Sequence, residues 1–324
     1  MAAEVAVRGA GAGQRTAVLM FPGQTARDPQ MLERALQAWP EGIALVEQAS
    51  GCIARDARAC LLGERPFSCN RDIQMAVFLT SHIHCAALER KGLRTSHSIG
   101  LSLGEYNHLV HVGALDFVDA VKLIDERGRC YDRGPRGKMV AVLALEEQEL
   151  LGYLRQCTDK GALVISNYNS PTQHVIAGEV QAVNTLVELL EGETTATCVT
   201  VDDRIAMHTS LMDAVAAEFL VALSRVRWRQ PSATYRPGVD PQREVSVAGE
   251  IPGLLGRHVN SPVYFHRALQ HLLQWAADAV LIETGCGTSL SSLIRRFRPE
   301  TVLSTEDPAG LTVDFDRVLR AVQA

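Results

Sequence analysis

Short apolar runs and stretches of helical periodicity alternate along the first part of the chain. Residues 16–21 form an apolar run that Pro22 and Gly23 cut off, a pattern that predicts a buried strand ended by a tight loop. A second β-like stretch, at Ser98 and Ile99, leads into a glycine-rich segment. The other elements predicted here are helices over 71–89, 105–111 and 118–129, the last with Asp116 as its N-cap.

The pattern changes between residues 137 and 204, where β-like and helical stretches are short and closely spaced. The predicted elements are strands over 139–145, 162–166, 172–177 and 197–201, helices over 146–157 and 180–190, and a turn at Asn169-Ser170-Pro171. The order β-α-β-β-α-β is that of a ferredoxin-like fold. We therefore predict that residues 137–204 form a ferredoxin-like small subdomain.

After residue 204 the chain returns to mainly helical patterns. The predicted elements are helices over 209–223, 263–277, 289–297 and 313–322, a strand over 279–282, and a surface loop over 231–241, which holds three prolines. No convincing repeat or low-complexity linker divides the sequence. This layout predicts one large α/β subdomain made of residues 16–136 and 205–324, interrupted by the small subdomain, with residues 1–15 as a flexible tail.

The composition fits a soluble globular protein of about two structural units. The 324 residues are 47% hydrophobic and 21% charged, and 32 basic against 37 acidic residues give a net charge of −5. A nucleic-acid-binding protein usually has a basic balance or a basic stripe, and neither is obvious in this sequence. Two small basic clusters fit either solvated faces or a landing site for an acidic partner: Arg225, Arg227 and Arg229, and Arg295, Arg296 and Arg298.

The eight cysteines are scattered and form no C-x-x-C pair, so a zinc or redox motif is not expected. Scattered cysteines in a chain of this size are typical of reduced thiols in a cytoplasmic protein. No apolar run approaches the roughly 18 residues that a membrane-spanning helix needs. The segment before Arg15 lacks the apolar core of a signal peptide. We therefore expect a cytoplasmic protein with no membrane association.

Gly100-x-Ser102-x-Gly104 matches the pattern of a nucleophile elbow. Glycine on both sides permits a sharp strand-to-helix turn. Such a turn presents the serine hydroxyl at a helix N-terminus, where backbone N–H groups can stabilise an oxyanion. An ordinary glycine-rich turn would give the same short pattern, although the β-like stretch before it and the predicted helix after it favour the elbow.

A serine nucleophile needs a general base at neutral pH, and histidine is the usual one. His208 follows a predicted loop at the start of a helix, whereas His97 directly precedes the elbow strand. The pattern alone does not single out His208 among the ten histidines of the chain. Surface or core roles are more common for those on predicted helices, which are His82, His84, His108, His111, His266 and His271.

Two further segments could border a site. Phe21-Pro22-Gly23-Gln24 follows the first predicted strand, where loops of α/β proteins line the active site, although a plain strand-ending turn would look the same. Arg127 ends a predicted helix, where the helix dipole favours a cation whatever its function.

Taken together, these segments resemble the malonyl-CoA:acyl-carrier-protein transacylase family, including the stand-alone, trans-acting acyltransferases of polyketide synthesis. The resemblance runs from about Thr16 to Arg320, with the motifs in family order. The segments that carry it are VLMFPGQ (18–24), GLSLGEYNHLVHVGAL (100–115), ERGRC (126–130), GKMVAVL (137–143), NYNSPTQHVIAG (167–178), AMHTSLM (206–212), NSPVYF (260–265) and IETGCGTSLSSLIRR (282–296). The expected fold is α/β, with an α/β-hydrolase-like large subdomain and an inserted ferredoxin-like small subdomain.

The resemblance implies a role for several residues. Ser102 would be the nucleophile and His208 the base. Arg127 would pair with the free carboxylate of a malonyl group, because a guanidinium can hold a carboxylate through two hydrogen bonds. Gln24 and Leu103 would supply backbone N–H donors to the oxyanion.

Other positions of the resemblance bear on the base and on substrate choice. His258 stands where the family has a residue, commonly Gln, that orients the catalytic histidine. Asn169 and Gln173 lie in a hairpin that the family turns toward the cleft, where structural roles are equally open. Met207 stands where malonyl-selective members usually have Phe and methylmalonyl-selective members Ser. Methionine is apolar but flexible, which favours malonyl and leaves a substituted malonyl unit open.

The sequence departs from the family pattern at three places. Leu101 replaces the usual His before the nucleophile, which changes the surroundings of the serine but leaves the Ser–His pair. Thr25-Ala26-Arg27 replaces the usual Gly-Ser-Gln and alters one rim of the cleft. Gly285-Cys286-Gly287 replaces Gly-Pro-Gly.

The resemblance implies transfer of a malonyl group from CoA to the phosphopantetheine thiol of an acyl carrier protein by ping-pong chemistry. Malonyl-CoA and the carrier protein would be the partners, and no metal or cofactor would be needed. One rival is a proofreading acyl hydrolase that releases carrier-bound chains, against which Arg127 argues because a monocarboxylic chain has no use for that cation. The other is a non-catalytic carrier-protein docking module, against which the intact Ser102 and His208 argue.

Overall fold

The computed structural model describes residues 15–53, 67, 69–298, 302–307 and 312–323. The strands are β1 (Ala17–Phe21), β2 (His97–Gly100), β3 (Lys138–Leu143), β4 (Leu163–Ser170), β5 (Gln173–Gly178), β6 (Thr197–Asp202), β7 (Val280–Glu283) and β8 (Val302–Ser304). The helices are α1 (Met31–Ala38), α2 (Ile43–Cys52), α3 (Asn70–Arg90), α4 (Gly104–His111), α5 (Phe117–Tyr131), α6 (Glu147–Gln156), α7 (Val180–Glu193), α8 (Asp213–Leu223), α9 (Ile251–Asn260), α10 (Phe265–Leu273), α11 (Ser289–Arg295) and α12 (Phe315–Gln323). The predicted tail, apart from Arg15, lies outside the described residues.

A parallel sheet of four strands in the order β2-β1-β7-β8 forms the centre of the large subdomain. Every residue of β1 and β7 is buried, which is typical of parallel strands covered by helices on both faces. Strand β1 pairs with β2 on one side and β7 on the other. The segments that follow β1 and β2 therefore leave the same edge of the sheet side by side.

The second sheet is antiparallel, with the strand order β4-β5-β3-β6. Its chain order with α6 and α7 is β-α-β-β-α-β, and the outer helices bury Leu150, Val183 and Leu186 against one face. This is the predicted ferredoxin-like arrangement. The α/β fold with two subdomains is confirmed; the subdomain boundaries at residues 137 and 204 remain predictions.

The hairpin between β4 and β5 differs from the sequence prediction. The turn was predicted at Asn169-Ser170-Pro171, but β4 continues through Ser170 and the turn lies at Pro171 and Thr172. Polar residues hid this part of the strand, because alternate side chains here face a cavity and not the core. The pairing register of β4 also shifts twice, between Ile165 and Asn167 and between Tyr168 and Ser170, which breaks the regular alternation.

The predicted surface loop over 231–241 was wrong for its middle. Tyr235 is fully buried and forms an isolated bridge with Val245. The tyrosine hydroxyl donates a hydrogen bond to the buried Glu105 carboxylate, which satisfies its polar end inside the protein. The three prolines suggested an exposed loop, whereas Tyr235 packs against α4 through its contact with Glu105.

Several other helices and strands were not predicted by the sequence pattern, or begin and end at residues other than those predicted. Helices α1, α2 and α9 and strand β8 were not predicted. Helix α9 starts with a proline at its first turn, which is favourable, but contains Gly253 and Gly256, which lower its helical propensity. The helix predicted over 209–223 begins at Asp213 after a 3-10 turn, and the one predicted over 263–277 is limited to Phe265–Leu273.

Within the described ranges, no helix combines the length and the apolar character that crossing a membrane requires. The seven cysteines in that part are all free thiols, whereas Cys60 lies outside it.

Candidate active site

The segment from Gly100 to Gly104 forms the predicted elbow between β2 and α4. Ser102 has a φ of 52°, in the left-handed region that residues with a side chain rarely adopt. A Cβ at Gly100 would lie 2.2 Å from the Gly104 backbone, and one at Gly104 would lie 2.1 Å from the carbonyl oxygen of Phe21. Both positions require glycine, because the turn presses the start of α4 against β2 and against the end of β1.

We expect Gly104→Ala to lower the free energy of unfolding by about 1–3 kcal/mol, because the added methyl group would overlap the backbone of β1. Gly152→Ala is the matched control, since no heavy atom lies within 4 Å of a Cβ added at that position of α6. Alanine there should gain about 0.5–1 kcal/mol of stability. Urea-unfolding midpoints measure both effects, and a Gly104→Ala midpoint equal to that of the wild type would contradict the tight packing of the elbow.

Ser102 and His208 meet although they are far apart in the chain. Ser102 Oγ lies 2.8 Å from His208 Nε2. On the other side of the ring, His208 Nδ1 lies 2.6 Å from the backbone carbonyl oxygen of His258, a partner that can only accept. Nδ1 therefore carries the proton, and Nε2 offers its lone pair to the serine hydroxyl. His258, predicted to orient the base, thus contacts the His208 ring through its main-chain carbonyl.

Burial keeps the His208 ring neutral. Removal from water is the largest cause that lowers the pKa of His208, to about 3; the nearby Arg127 charge lowers it further, and the hydrogen bond to His258 opposes both. A neutral imidazole is the form that can accept the serine proton. His208 therefore has, throughout the neutral range, the protonation state that a general base needs.

Arg127 is completely buried on α5. Its Nη2 donates to the Tyr131 hydroxyl at 2.8 Å, and its guanidinium lies over the rings of Tyr131 and Tyr106 at 4.2 and 5.7 Å. Nε and Nη1 have no hydrogen-bond partner within the described ranges, and no acidic side chain there forms an ion pair with Arg127. A buried cation with two free donors is able to bind a carboxylate.

The predicted oxyanion donors are backbone N–H groups beside the nucleophile. Leu103 precedes α4, and Gln24 begins a short 3-10 turn after β1, so neither N–H has an acceptor within its own helical segment. The Gln24 side chain is fixed by hydrogen bonds with Asn70 and Gln74 at 3.1 and 3.0 Å. The Leu101 N–H donates to the Phe21 carbonyl at 2.9 Å, which locks the two loops together.

A cavity of about 120 Å³ opens beside the Ser–His pair, between the two sheets. Ser102, His208, Gln24 and Met207 all border it. Its remaining lining is apolar on one side and carries amides from the hairpin on the other: Gly23, Thr25, Leu101, Met139, Ala141, Asn167, Asn169, Gln173, Val175 and Val201. Arg127 is fully buried and is not among the residues that border the cavity.

Sequence reasoning missed the residues behind the base. Glu105 lies on α4 with its Oε2 3.1 Å from His258 Nε2, and Tyr235 donates to its other oxygen. The only available signal was an acidic residue in the first turn after the elbow, which is an ordinary position for a helix N-terminus.

Two clusters of potential metal ligands occur in the described part of the chain, and neither includes a predicted site residue: Cys85, Glu89 and His111, and Glu126, Cys130 and Glu218.

A serine on a strained elbow, hydrogen-bonded to a neutral histidine whose far nitrogen is fixed, is the arrangement of enzymes that form acyl-serine intermediates. Fold and site together therefore fit an enzyme that acts through an acyl-serine. A profile of the family described as the acyl transferase domain matches residues 62–296 of the sequence. The chain belongs to the malonyl-CoA:acyl-carrier-protein transacylase family.

Individual relatives match over most of their length. The malonyl CoA-acyl carrier protein transacylase of Haemophilus influenzae is 28% identical over 287 residues, which cover 86% of this chain and 91% of that protein. The structure of MCAT from Streptococcus pneumoniae has a TM-score of 0.82 at 31% identity, covering 91% of this chain and 98% of that one. The PlMCAT:AntF complex, a type II polyketide synthase acyl-carrier protein with its malonyl-transacylase, gives a TM-score of 0.82 at 25% identity, covering 90% and 95%.

Proposed function

We propose that this protein transfers a malonyl group from CoA to the phosphopantetheine thiol of an acyl carrier protein, through an ester on Ser102. The observation that carries the proposal is the 2.8 Å contact between Ser102 Oγ and His208 Nε2, with the far side of the ring fixed by the His258 carbonyl. Family membership supplies the substrate class. The PlMCAT:AntF complex supports a carrier protein as the acceptor, and it favours a role in polyketide synthesis.

In the first half-reaction, His208 Nε2 takes the Ser102 proton while Oγ attacks the thioester carbon of malonyl-CoA. The negative oxygen formed at that carbon receives hydrogen bonds from the backbone N–H groups of Gln24 and Leu103. The C–S bond then breaks, and the CoA sulfur takes the proton from His208. In the second half-reaction the carrier thiol gives its proton to His208 and its sulfur attacks the ester carbon. The bond between Ser102 Oγ and that carbon breaks, Oγ takes the proton from His208, and a malonyl thioester remains on the carrier.

The surroundings of Ser102 suit a short acyl group with a free carboxylate. The cavity of about 120 Å³ beside Ser102 is small, which favours a short acyl group. The two unpartnered donors of the buried Arg127 favour a carboxylate at the far end of the acyl group. Met207 borders the cavity with a flexible apolar side chain, so the size of any 2-substituent on the malonyl unit depends on its rotamer.

Every proton and electron pair in these two half-reactions is supplied by Ser102, His208 and the substrates. CoA and phosphopantetheine take part as pieces of the substrates, and the proposed chemistry needs no further cofactor. A cytoplasmic location is supported by the seven free thiols of the described residues, since thiols of this kind persist where glutathione keeps them reduced.

The test is an intact-mass spectrum taken after brief mixing with malonyl-CoA, methylmalonyl-CoA and acetyl-CoA in competition. We expect a single malonyl adduct that disappears when the purified carrier protein is added. A methylmalonyl adduct would keep the mechanism and change the substrate. Absence of any adduct, combined with hydrolysis of acyl groups already bound to carrier protein, would replace the proposal with a hydrolase.

Arg127→Ala should reduce malonyl transfer by about 10- to 150-fold while acetyl loading is spared or raised, because a charge-assisted contact to a carboxylate contributes about 1.5–3 kcal/mol. Arg129→Ala is the matched control, since Arg129 lies on the same helix but is paired with Glu126 at the surface. The measurement is the malonyl-to-acetyl ratio of kcat/KM. An unchanged ratio would exclude Arg127 from substrate recognition.

A further inference from the structure

Two buried side chains that the proposed chemistry does not use lie directly behind the catalytic pair. Glu105 and His258 are 3% and 1% exposed at their side chains, and Glu105 Oε2 lies 3.1 Å from His258 Nε2. Burying a carboxyl group is costly unless it is hydrogen-bonded. The Tyr235 hydroxyl and the Gly238 backbone N–H both donate to the Glu105 carboxylate. The position of the carboxyl group is therefore fixed from two further directions.

Two parts of the protein pack directly against the pair. A Cβ added to Gly238 would lie 3.4 Å from Glu105 Oε2, 3.6 Å from His258 Nε2 and 2.9 Å from a methyl group of Val263. The backbone at Gly238 thus closes one side of the pair. The His208 ring closes another, with its centroid 5.0 Å from that of His258.

These contacts complete a ring that begins and ends at the nucleophile. Glu105 is on α4, three residues after Ser102. Its carboxyl group contacts the His258 side chain, the His258 carbonyl accepts from His208 Nδ1 at 2.6 Å, and His208 Nε2 returns to Ser102 Oγ at 2.8 Å. Ser102 and His208 belong to different segments of the chain. The ring of contacts therefore connects α4, which follows the nucleophile, directly to the His258 carbonyl, which orients the base.

We infer that Glu105 is a positioning residue, which through the His258 side chain fixes the distance and orientation of His208 relative to Ser102. The inference rests on the proposed acyl-serine chemistry and adds to it a residue that touches neither substrate nor reacting atoms. The protonation of the pair agrees with this role. Burial raises the pKa of Glu105 to about 7, against the hydrogen bonds from Tyr235 and Gly238 and the charge of Arg127. Burial, His208 and Arg127 hold the pKa of His258 well below its ordinary value. The carboxyl group can donate to the neutral His258 Nε2 when Glu105 is protonated, which holds for about half of the molecules near pH 7 and for more of them below it.

The test compares truncating and conservative variants at both positions. Glu105→Ala and His258→Ala should each slow the acylation of Ser102 by about 10- to 100-fold at an unchanged KM for the acyl donor, because a small misplacement of a catalytic group costs that much. Glu105→Gln should restore most of the rate, since its amide N–H can donate to His258 Nε2. His258→Gln should do the same by bonding to the carboxyl group. The double alanine variant should lose no more than either single variant.

A buried carboxyl group outside the ring controls for a general loss of stability. Glu283 is fully buried and accepts hydrogen bonds at the start of α11, from Leu290 N and Ser291 N at 2.9 and 2.7 Å. Glu283→Ala should lower the melting temperature without a selective loss of kcat. Losses in the two alanine variants that add up, or that the glutamine variants do not reverse, would overturn the positioning role.

The rate of labelling of Ser102 by a fluorophosphonate separates this inference from the proposed function. That reaction requires an activated serine but no malonyl recognition. If malonyl-CoA fails as a donor and wild-type labelling is still fast, the proposed substrate is wrong while the variants continue to test the ring. Wild-type labelling no faster than that of Glu105→Ala would overturn the inference whatever the substrate.

Discussion

Replacing Ser102 by alanine should abolish the acyl-enzyme and reduce malonyl transfer by a factor on the order of 10⁴–10⁶, as loss of the nucleophile does in serine enzymes. Ser102 Oγ is the one atom of the site that lies on the elbow, within 2.8 Å of the base and on the border of the cavity. Intact-mass analysis after mixing with malonyl-CoA measures adduct formation directly, and carrier-protein loading measures turnover.

Ser102→Cys is the control that keeps a nucleophile at this position. Its thiol should accept the malonyl group as a thioester, since the elbow and His208 are unchanged, and an adduct should therefore return. Both variants carry a side chain with the same Cβ at a φ of 52°, so the backbone strain is the same and stability should differ little between them. A malonyl adduct of full amplitude on Ser102→Ala would show that another residue is the nucleophile.

The sequence predicted those parts of the fold whose pattern is local. Strand β1 is a continuous apolar run ended by Pro22-Gly23, and α5 begins where Asp116 accepts a hydrogen bond from Val118 N, as its N-cap position suggested. Helix α9 escaped because glycines interrupt its pattern, and its stability comes from packing against α8 instead of from helical propensity. The end of β4 escaped because its amides face a cavity that no sequence pattern reveals.

The residues of the candidate site also differ in how far the sequence could predict them. The elbow could be predicted, because its close backbone contacts require glycine at 100 and 104 and those glycines form a short motif. The roles predicted for His208 and Arg127 needed the family resemblance, because His208 lies 106 residues from Ser102 along the chain and Arg127 does not border the cavity. The contact between Glu105 and His258 joins α4 to α9, one of the helices that the pattern did not predict, so neither local periodicity nor a motif could indicate it.

Replacing His208 by alanine should slow acylation of Ser102 by about 10²- to 10⁴-fold, the usual contribution of a general base. The serine would then lose the ring nitrogen 2.8 Å from Oγ that accepts its proton. The measurement is the pre-steady-state rate of adduct formation at saturating malonyl-CoA. His271→Ala on α10 is the control, since that histidine lies at the end of a helix away from the cavity and should leave the rate unchanged.

The pH dependence of the wild-type rate follows from the same residue. His208 acts as a base only when neutral, and its pKa is lowered to about 3, first by burial and then by the Arg127 charge. The acylation rate should therefore not fall as the pH is lowered from 8 to about 5, where a histidine with the ordinary pKa of about 6.5 would be almost fully protonated. A rate that falls by half near pH 6.5 would mean that water reaches the base.

The stability of the protein should depend on pH through the same residue. Below pH 6.5 the unfolded chain binds a proton at His208 and the folded protein does not, so this residue's contribution to stability is lost progressively as the pH falls. His208→Ala removes that contribution and should make unfolding less sensitive to pH between 6.5 and 5, a difference that urea-unfolding midpoints at the two pH values would measure.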